Sequence, residues 1–448
     1  MGFSHYAFYR NMSYKYFPHT EADIKAILER IGVKSLDDLY AEVPESVRLN
    51  KDYNLPKAKS ELEIRDFFKK LGQENKQLTC FAGAGVYDFY TPAVVPQIVS
   101  RSEFLTSYTP YQAEISQGTL HYIFEYQSMM AELTGMDISN ASLYDGTTAT
   151  AEAVMMAAAA SKKSNKVLVS STVDPKIMAV VNTYAHFHGI EIEMIDATDG
   201  ATDKADLERR LAQGGVAGVL VQQPNCYGIV EDYAGFADAV HAVKGLFIMN
   251  CVAADLAVLR TPGEWGADIA VGDGQSLGIP MSFGGPYVGY MCCREKLMRK
   301  MPGRIVGMTK DSRGQRVFAL TLQAREQHIR REKATSNICS NESLMALFVT
   351  VYMSIMGKQG LKEAAELSYA GAHYLMDRLV ATGRFKPAFD RPFFNEFCVK
   401  YAGDVDELQK RFIANGIFGG IKVAPDTIMF AVTNKRTKEE IDKLIETI

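Results

Sequence analysis

Two short stretches combine residue types and spacing suited to chemistry. In SLYDGTTATAEAVMMA, Ser142–Ala157, small residues open directly onto a helical pattern. Free backbone N–H groups and the helix dipole then point at the turn, which is where a phosphate sits. The same pattern also describes an ordinary capped helix start with Asp145 or Thr147 as cap, and an Asp145 facing the turn repels an anion. In VQQPNCYGIVEDY, Val221–Tyr233, Pro-Asn and then Gly close an apolar run. Open α/β sheets bind ligands at such strand ends, although a plain turn has the same composition. FAGAG, Phe81–Gly85, comes near a glycine-rich phosphate loop, but VYDFYTP follows where a helix is needed.

Other chemistries lack their residues. There is no GxSxG, no HExxH, no P-loop and no GxGxxG leading into a helix. The seven cysteines (Cys80, Cys226, Cys251, Cys292, Cys293, Cys339, Cys398) are scattered and odd in number, without a CxxC pair. They predict reduced thiols and a cytoplasmic setting, with no disulfide framework and no metal site. A net charge of −4 gives no electrostatic case for nucleic acid or an anionic membrane. The opening MGFSHYAFYRNMSYKYFPHT has no signal-peptide core, and Tyr6 stands where N-myristoylation needs Ser or Thr. No run reads as long enough to cross a bilayer.

The elements that must position these stretches fall into three regions. Residues 1–75 read as a helical arm, with Thr20 capping EADIKAILERIG and Ser60 capping SELEIRDFFKKLG, and Gly32 and Gly72 as stops. Each helix has one apolar stripe and needs something larger to lie on, such as a partner subunit. Residues 76–330 alternate helical stretches with KVLVSS, GVLVQQPN, GLFIMNC, DIAVGD and YVGYMCC, the runs of strands buried on both faces. That rhythm predicts an α/β domain around a mainly parallel sheet. Residues 331–448 begin with a long buried helix, NESLMALFVTVYMSIMG, and continue as a smaller α+β domain with strands NEFCVKY and TIMFAVTN.

A strand, a Pro-Asn-x-x-Gly turn, a second strand ending in IMN and the segment GADIAVGDGQSLGIPMSFGGPYVGY, Gly266–Tyr290, together resemble fold-type I pyridoxal-phosphate enzymes. More narrowly, YTPYQAEISQGTLHYIFEYQSMMAELTGMDISNASLYDG, MPGRIVGMTKD and REQHIRREKATSNICS resemble the P-protein of the glycine cleavage system. The likeness is to its N-terminal half, which in many bacteria is a separate chain, and it covers essentially the whole sequence.

The resemblance implies a fold-type I transferase-like architecture and a missing catalytic group. Such enzymes need a lysine, because only an amine forms a Schiff base with the cofactor aldehyde. Counting back from Ile279-Pro280 puts Gln275 at the lysine's place, and counting forward from Asp268 puts Ser276 there. At the place of the acid that faces the pyridine nitrogen stands Asn250 or Met249, with Asp255 further on, and Asp174 stands where a stacking histidine is found. No catalytic residue is therefore expected in this chain. The implied partner is the pyridoxal-phosphate-bearing glycine dehydrogenase subunit 2, which holds the cofactor covalently. Together the two chains would decarboxylate glycine and pass the aminomethyl group to the lipoyl arm of the H-protein. This chain would lend Thr335, Ser336 and Asn337 to the partner's cofactor phosphate, and Tyr108, Tyr111, Gln112, Glu114 and Gln117 to the shared cleft. Arg325, Arg330 and Arg331 either steer acidic partners, hold a phosphate or form a solvated face. The alternatives are a purely structural or regulatory pseudoenzyme, and an independent decarboxylase using Lys310 or Lys333, lysines in charged surroundings that follow no strand in the required frame.

Overall fold

The apolar runs named above become adjacent strands. The computed structural model describes residues 19–49, 51, 53–161 and 164–448, so the reading of the first eighteen residues lies outside the described part. Two compact units result, residues 1–76 and 77–448.

In the first unit, helices α1 (Glu21–Ile31) and α2 (Glu61–Gln73) start at Thr20 and Ser60, each closing a reciprocal capping box with the acid three residues on. Such a cap is worth about 1 kcal/mol. Gly32 ends α1 in the left-handed region at φ 90°, whereas Gly72 does not end α2, which runs on to Gln73. Neither helix buries a residue.

The second unit is built on a seven-stranded sheet: β1 (Ile138–Ser139), β2 (Lys166–Ser170), β3 (Glu191–Ile195), β4 (Val216–Gln223), β5 (Leu246–Cys251), β6 (Ile269–Asp273) and β7 (Gly289–Cys293), in spatial order β1-β7-β6-β5-β4-β2-β3. Strands β2 to β6 run parallel, and β7 is antiparallel to both its neighbours. Every residue of β4 is buried, as expected for a strand covered on both faces. Helix α3 (Gln117–Thr134) packs near β1, and α4 (Gly146–Ala160) lies across the centre of the sheet. Alanines 149, 151, 153 and 157 let α4 approach closely, and a Cβ added at Gly218 would stand 3.1 Å from that of Ala157. Helix α5 (Pro175–His188) follows β2 and opens with Asp174 as its cap.

A hairpin, β8 (Ile305–Lys310) with β9 (Arg316–Thr321), leads to α6 (Ser343–Ala381). By length and composition α6 could cross a bilayer, contrary to the sequence reading. Here it breaks at Gly357 (φ 58°, ψ −177°), and its first half buries Met345, Leu347, Val349 and Tyr352 in the core. A four-stranded sheet, β10 (Phe385–Pro387), β11 (Glu396–Tyr401), β12 (Ile421–Ala424) and β13 (Thr427–Ala431), follows with helices α7 (Val405–Ala414) and α8 (Lys438–Glu446). Thr79–Cys80 pairs in parallel with Ile417–Phe418, joining the two ends of this unit.

Candidate functional site

The C-terminal ends of the parallel strands surround a cavity of about 320 Å³. Asn250 and Cys251 at the end of β5, Asp273 at the end of β6, the first turn of α4, Asp174 and Lys176 at the start of α5, and Glu396 on β11 all line it. Ala84 and Gly85 of the FAGAG segment form another wall, and the first helix after it begins only at Val94. The Ala84 N–H donates to Glu396 Oε1 at 2.5 Å, and the Tyr87 hydroxyl donates to Glu396 Oε2 at 3.1 Å.

The structure separates the two positions that counting left open. Gln275 is 1% exposed and turned away from the cavity. Its Oε1 accepts the Tyr87 N–H at 2.9 Å, while its Nε2 donates to the carbonyls of Tyr87 at 2.9 Å and Ile279 at 2.7 Å. Ser276 lines the cavity, and its hydroxyl accepts the Ala254 N–H at 3.0 Å. Asn250 likewise faces the cavity, and its Nδ2 donates to Thr150 Oγ1 at 2.7 Å. Met249 packs into the core on the other face of the sheet, and Asp255 is sealed beneath the wall with both carboxyl oxygens unpartnered. Burial, reinforced by Glu396, holds the Asp255 carboxyl well above the usual carboxylate range.

The phosphate reading of Ser142–Ala157 is overturned in favour of the capped helix. Asp145 Oδ1 accepts the Thr148 N–H at 2.7 Å and both threonine hydroxyls. The Gly146 N–H, which would face an anion, donates at 2.9 Å to Asp273 Oδ2 instead. Gly146 fits because a Cβ there would stand 2.7 Å from the Asp273 nitrogen. In the Val221–Tyr233 stretch, Asn225 organises the turn, its Oδ1 accepting the N–H groups of Tyr227 and Ile229 and its Nδ2 reaching Glu231 at 2.7 Å.

Burial dominates the electrostatics. It raises Asp273 to about 6, against the pull of the Gly146 and Gln275 N–H groups. It raises Glu396 to about 7 despite the hydrogen bonds from Ala84 and Tyr87. Outside the cavity, burial raises Glu152 on α4 to about 7, opposed only by the hydrogen bond from Ser336, and its Oε2 has no partner. These carboxyls bind protons more tightly folded than unfolded, so stability falls as pH rises from about 4.5 to about 7. The melting temperature is therefore expected to drop between pH 5 and pH 8, and Glu152→Gln should flatten the drop and stabilise the chain at pH 8. A variant with an unchanged pH profile would show that Glu152 does not titrate there.

The other expected site residues divide between the surface and the interior. Tyr108 is 84% exposed and Tyr111 is 68% exposed, with the Arg304 guanidinium 5.5 Å from the Tyr111 ring centroid. Gln112 and Glu114 are exposed beside them. Gln117 is engaged within the chain: its amide donates to the Ala113 and Phe318 carbonyls and accepts the Phe318 N–H, fastening α3 to β9. Ser336 is held by Glu152 at 2.9 Å, Thr335 is half-buried and Asn337 is exposed. Arg325 does not steer partners. Its guanidinium is buried against the carbonyls of Met301 and Gly303, while Arg330 and Arg331 remain exposed. Lys310 and Lys333 are exposed and do not line the cavity.

The lysine that does line it, Lys176, went unnoticed in the sequence, as did Glu396. Lys176 Nζ donates to the Ala84 carbonyl at 3.0 Å and sits 3.5 Å from Asp174 Oδ2. The signal for Glu396 was an acid at the start of an otherwise apolar strand, NEFCVKY, which ordinarily has to be satisfied from elsewhere in the fold.

The comparisons decide the family. The glycine cleavage system P-protein model matches residues 14–448. This chain belongs to that family. A relative from Anoxybacillus flavithermus, named glycine dehydrogenase (decarboxylating) subunit 1, is 48% identical over 97% of this chain and 98% of its own. One of the same name from Moorella thermoacetica is 47% identical over 96% and 98%. The crystal structure of an inhibitor-bound glycine decarboxylase, the P-protein of the glycine cleavage system, superposes with a TM-score of 0.88 at 40% identity, covering 98% of this chain and all of that one. A glutamate decarboxylase from Lactobacillus brevis, 12% identical with a TM-score of 0.65 over 90% of this chain and 94% of its own, shares the fold alone.

Pyridoxal phosphate serves many enzymes of this fold, yet the residues of this P-protein family chain do not fit it. Ser276 offers no amine, Asn250 offers no acid, and the anion cradle of α4 is filled by Asp145 and Asp273. Asp145, Asp174 and Asp273 outnumber the one ammonium of the described lining even with Glu396 partly protonated near pH 7, a field that disfavours a phosphate.

Proposed function

We infer that this chain is the lysine-lacking subunit of a two-chain P-protein. It pairs with a pyridoxal-phosphate-bearing subunit 2 as a pseudo-symmetric heterodimer in the cytoplasm. The carrying observation is a complete family fold whose strand-end cavity has neither an amine at the Schiff-base position nor a free anion cradle. The complex decarboxylates glycine and transfers the aminomethyl group to the lipoyl group of the H-protein. The cofactor, held by the partner, supplies the electron sink.

This chain's contribution is positioning. Tyr108, Tyr111, Gln112 and Glu114 project from one exposed loop, where they can order substrate and exclude water once covered by the partner. Thr335 and Asn337 retain the donor types suited to the partner's phosphate, whereas Ser336 would have to leave Glu152 to reach it. On α1 and α2 the apolar Ile27, Ile31, Leu62, Phe67 and Phe68 stay exposed, a further surface suited to a partner.

The test is co-expression with a lysine-bearing subunit, followed by isotope exchange between bicarbonate and the glycine carboxyl. Thr335→Ala combined with Tyr111→Phe is expected to lower exchange at least tenfold while the complex still co-purifies. Unchanged exchange would leave this chain a scaffold and overturn the shared-site reading.

A further inference from the structure

The strand-end cavity has the chemistry of a binding site in its own right. Asp145, Asp174, Asp273 and Glu396 face it, with Lys176 as the sole cation among the described residues of its lining. Acidic walls alone would not define a site, but two amides add an independent signal. Asn250 and Gln222, 7% and 9% exposed, both line the cavity. Asn250 uses its Nδ2 on Thr150, and no described residue donates to its Oδ1. Gln222 uses its Oε1 to accept the Asp174 N–H at 2.8 Å, and no described residue accepts from its Nε2. Two side chains that are nine-tenths buried thus each leave one polar atom, an acceptor and a donor, without a described partner in the cavity lining, where a ligand or water can satisfy it.

The ligand class follows by elimination. The carboxylates exclude phosphates and other multiply charged anions. Among the described residues no group of three or more His, Cys, Asp or Glu converges as a metal site. What remains is an organic cation, and the donors of Gln222 and Lys176 call for an acceptor on the same molecule. We propose that this cavity binds a free small α-amino acid, its ammonium against Asp174 and Asp273 with Glu396 as a further acceptor, and its carboxylate toward Gln222 Nε2 and Lys176. A small zwitterion fits a space of about 320 Å³. The site is separate from the shared active site proposed above, and the chain without its partner suffices to test it.

The experiment is calorimetric titration of the full-length chain with glycine, methylammonium, acetate and inorganic phosphate. Glycine should bind saturably, methylammonium and acetate each at least tenfold more weakly, and phosphate not at all. Asp174→Asn keeps the helix cap and Gln222→Met keeps the shape, and each should weaken glycine at least fivefold. Ser276→Lys, whose ammonium would occupy the acidic wall, should abolish binding, with circular dichroism confirming that the variants fold. Three results would each overturn the proposal: no saturable glycine heat, phosphate binding more tightly than glycine, or glycine binding that survives all three substitutions.

Discussion

Replacing Gln275 with lysine, at one of the two positions that counting leaves open for the cofactor lysine, is expected to unfold the chain rather than give it a cofactor. The Gln275 side chain accepts one backbone N–H and donates to two carbonyls while buried beneath Tyr87. A lysine there donates but cannot accept, which orphans the Tyr87 N–H and buries an ammonium without a paired acid. Together these cost about 3–5 kcal/mol, which should appear as a large drop in the denaturant midpoint. Ser276→Lys is the informative contrast, because Ser276 opens on the cavity and tolerates a longer side chain in that direction. The new amine still fails to capture pyridoxal phosphate. The surrounding carboxylates stabilise the charged ammonium and raise its pKa, whereas a Schiff base forms only from the neutral amine. No borohydride-stable adduct should form at stoichiometric cofactor. A specific adduct at position 276 of the Ser276→Lys variant would show that the chain lost only its lysine and not the rest of its cofactor site.

The second large effect is expected at Gly228. Its φ is +79°, and an added Cβ would lie 2.0 Å from the Glu396 carbonyl oxygen and 2.5 Å from its carbon. Both atoms are backbone, so no side-chain rotation relieves the overlap. Gly228→Ala therefore combines about 1 kcal/mol of left-handed backbone strain with displacement of β11, for a loss of roughly 3 kcal/mol or more. Moving β11 also carries Glu396 away from Ala84 and Tyr87, so the cavity should loosen along with the fold. A variant whose stability stays within about 0.5 kcal/mol of the parent would mean that the Asn225–Gly228 turn yields more easily than its contacts imply.

The sequence made the sheet readable because five apolar runs separated by helical stretches admit few other packings, and the capping residues of α1 and α2 announced themselves locally. The site was harder to read for reasons visible in particular residues. Gln275 and Ser276 are neighbours of similar burial, and only the direction of each side chain tells which one faces the cavity. Gln117 and Arg325 have the composition of functional residues but serve as internal fasteners to backbone groups. Glu396 becomes meaningful only against Ala84 and Tyr87, more than three hundred positions earlier, a pairing to which no local pattern points.

That separation bears on how the chain comes to be made. The Ala84–Glu396 hydrogen bond spans 312 residues, and the pairing of Thr79–Cys80 with Ile417–Phe418 lies further out still. On a ribosome the early segment emerges long before its partners exist, at about 5–20 residues per second. The central sheet can assemble from its own neighbours in the meantime, whereas the cavity wall stays open until nearly the last strand has been synthesised. Release of the finished polypeptide and completion of the binding pocket are thus nearly the same event, and a nascent chain stalled before β11 would present Ala84 and Tyr87 without their Glu396 partner and a cavity missing that wall.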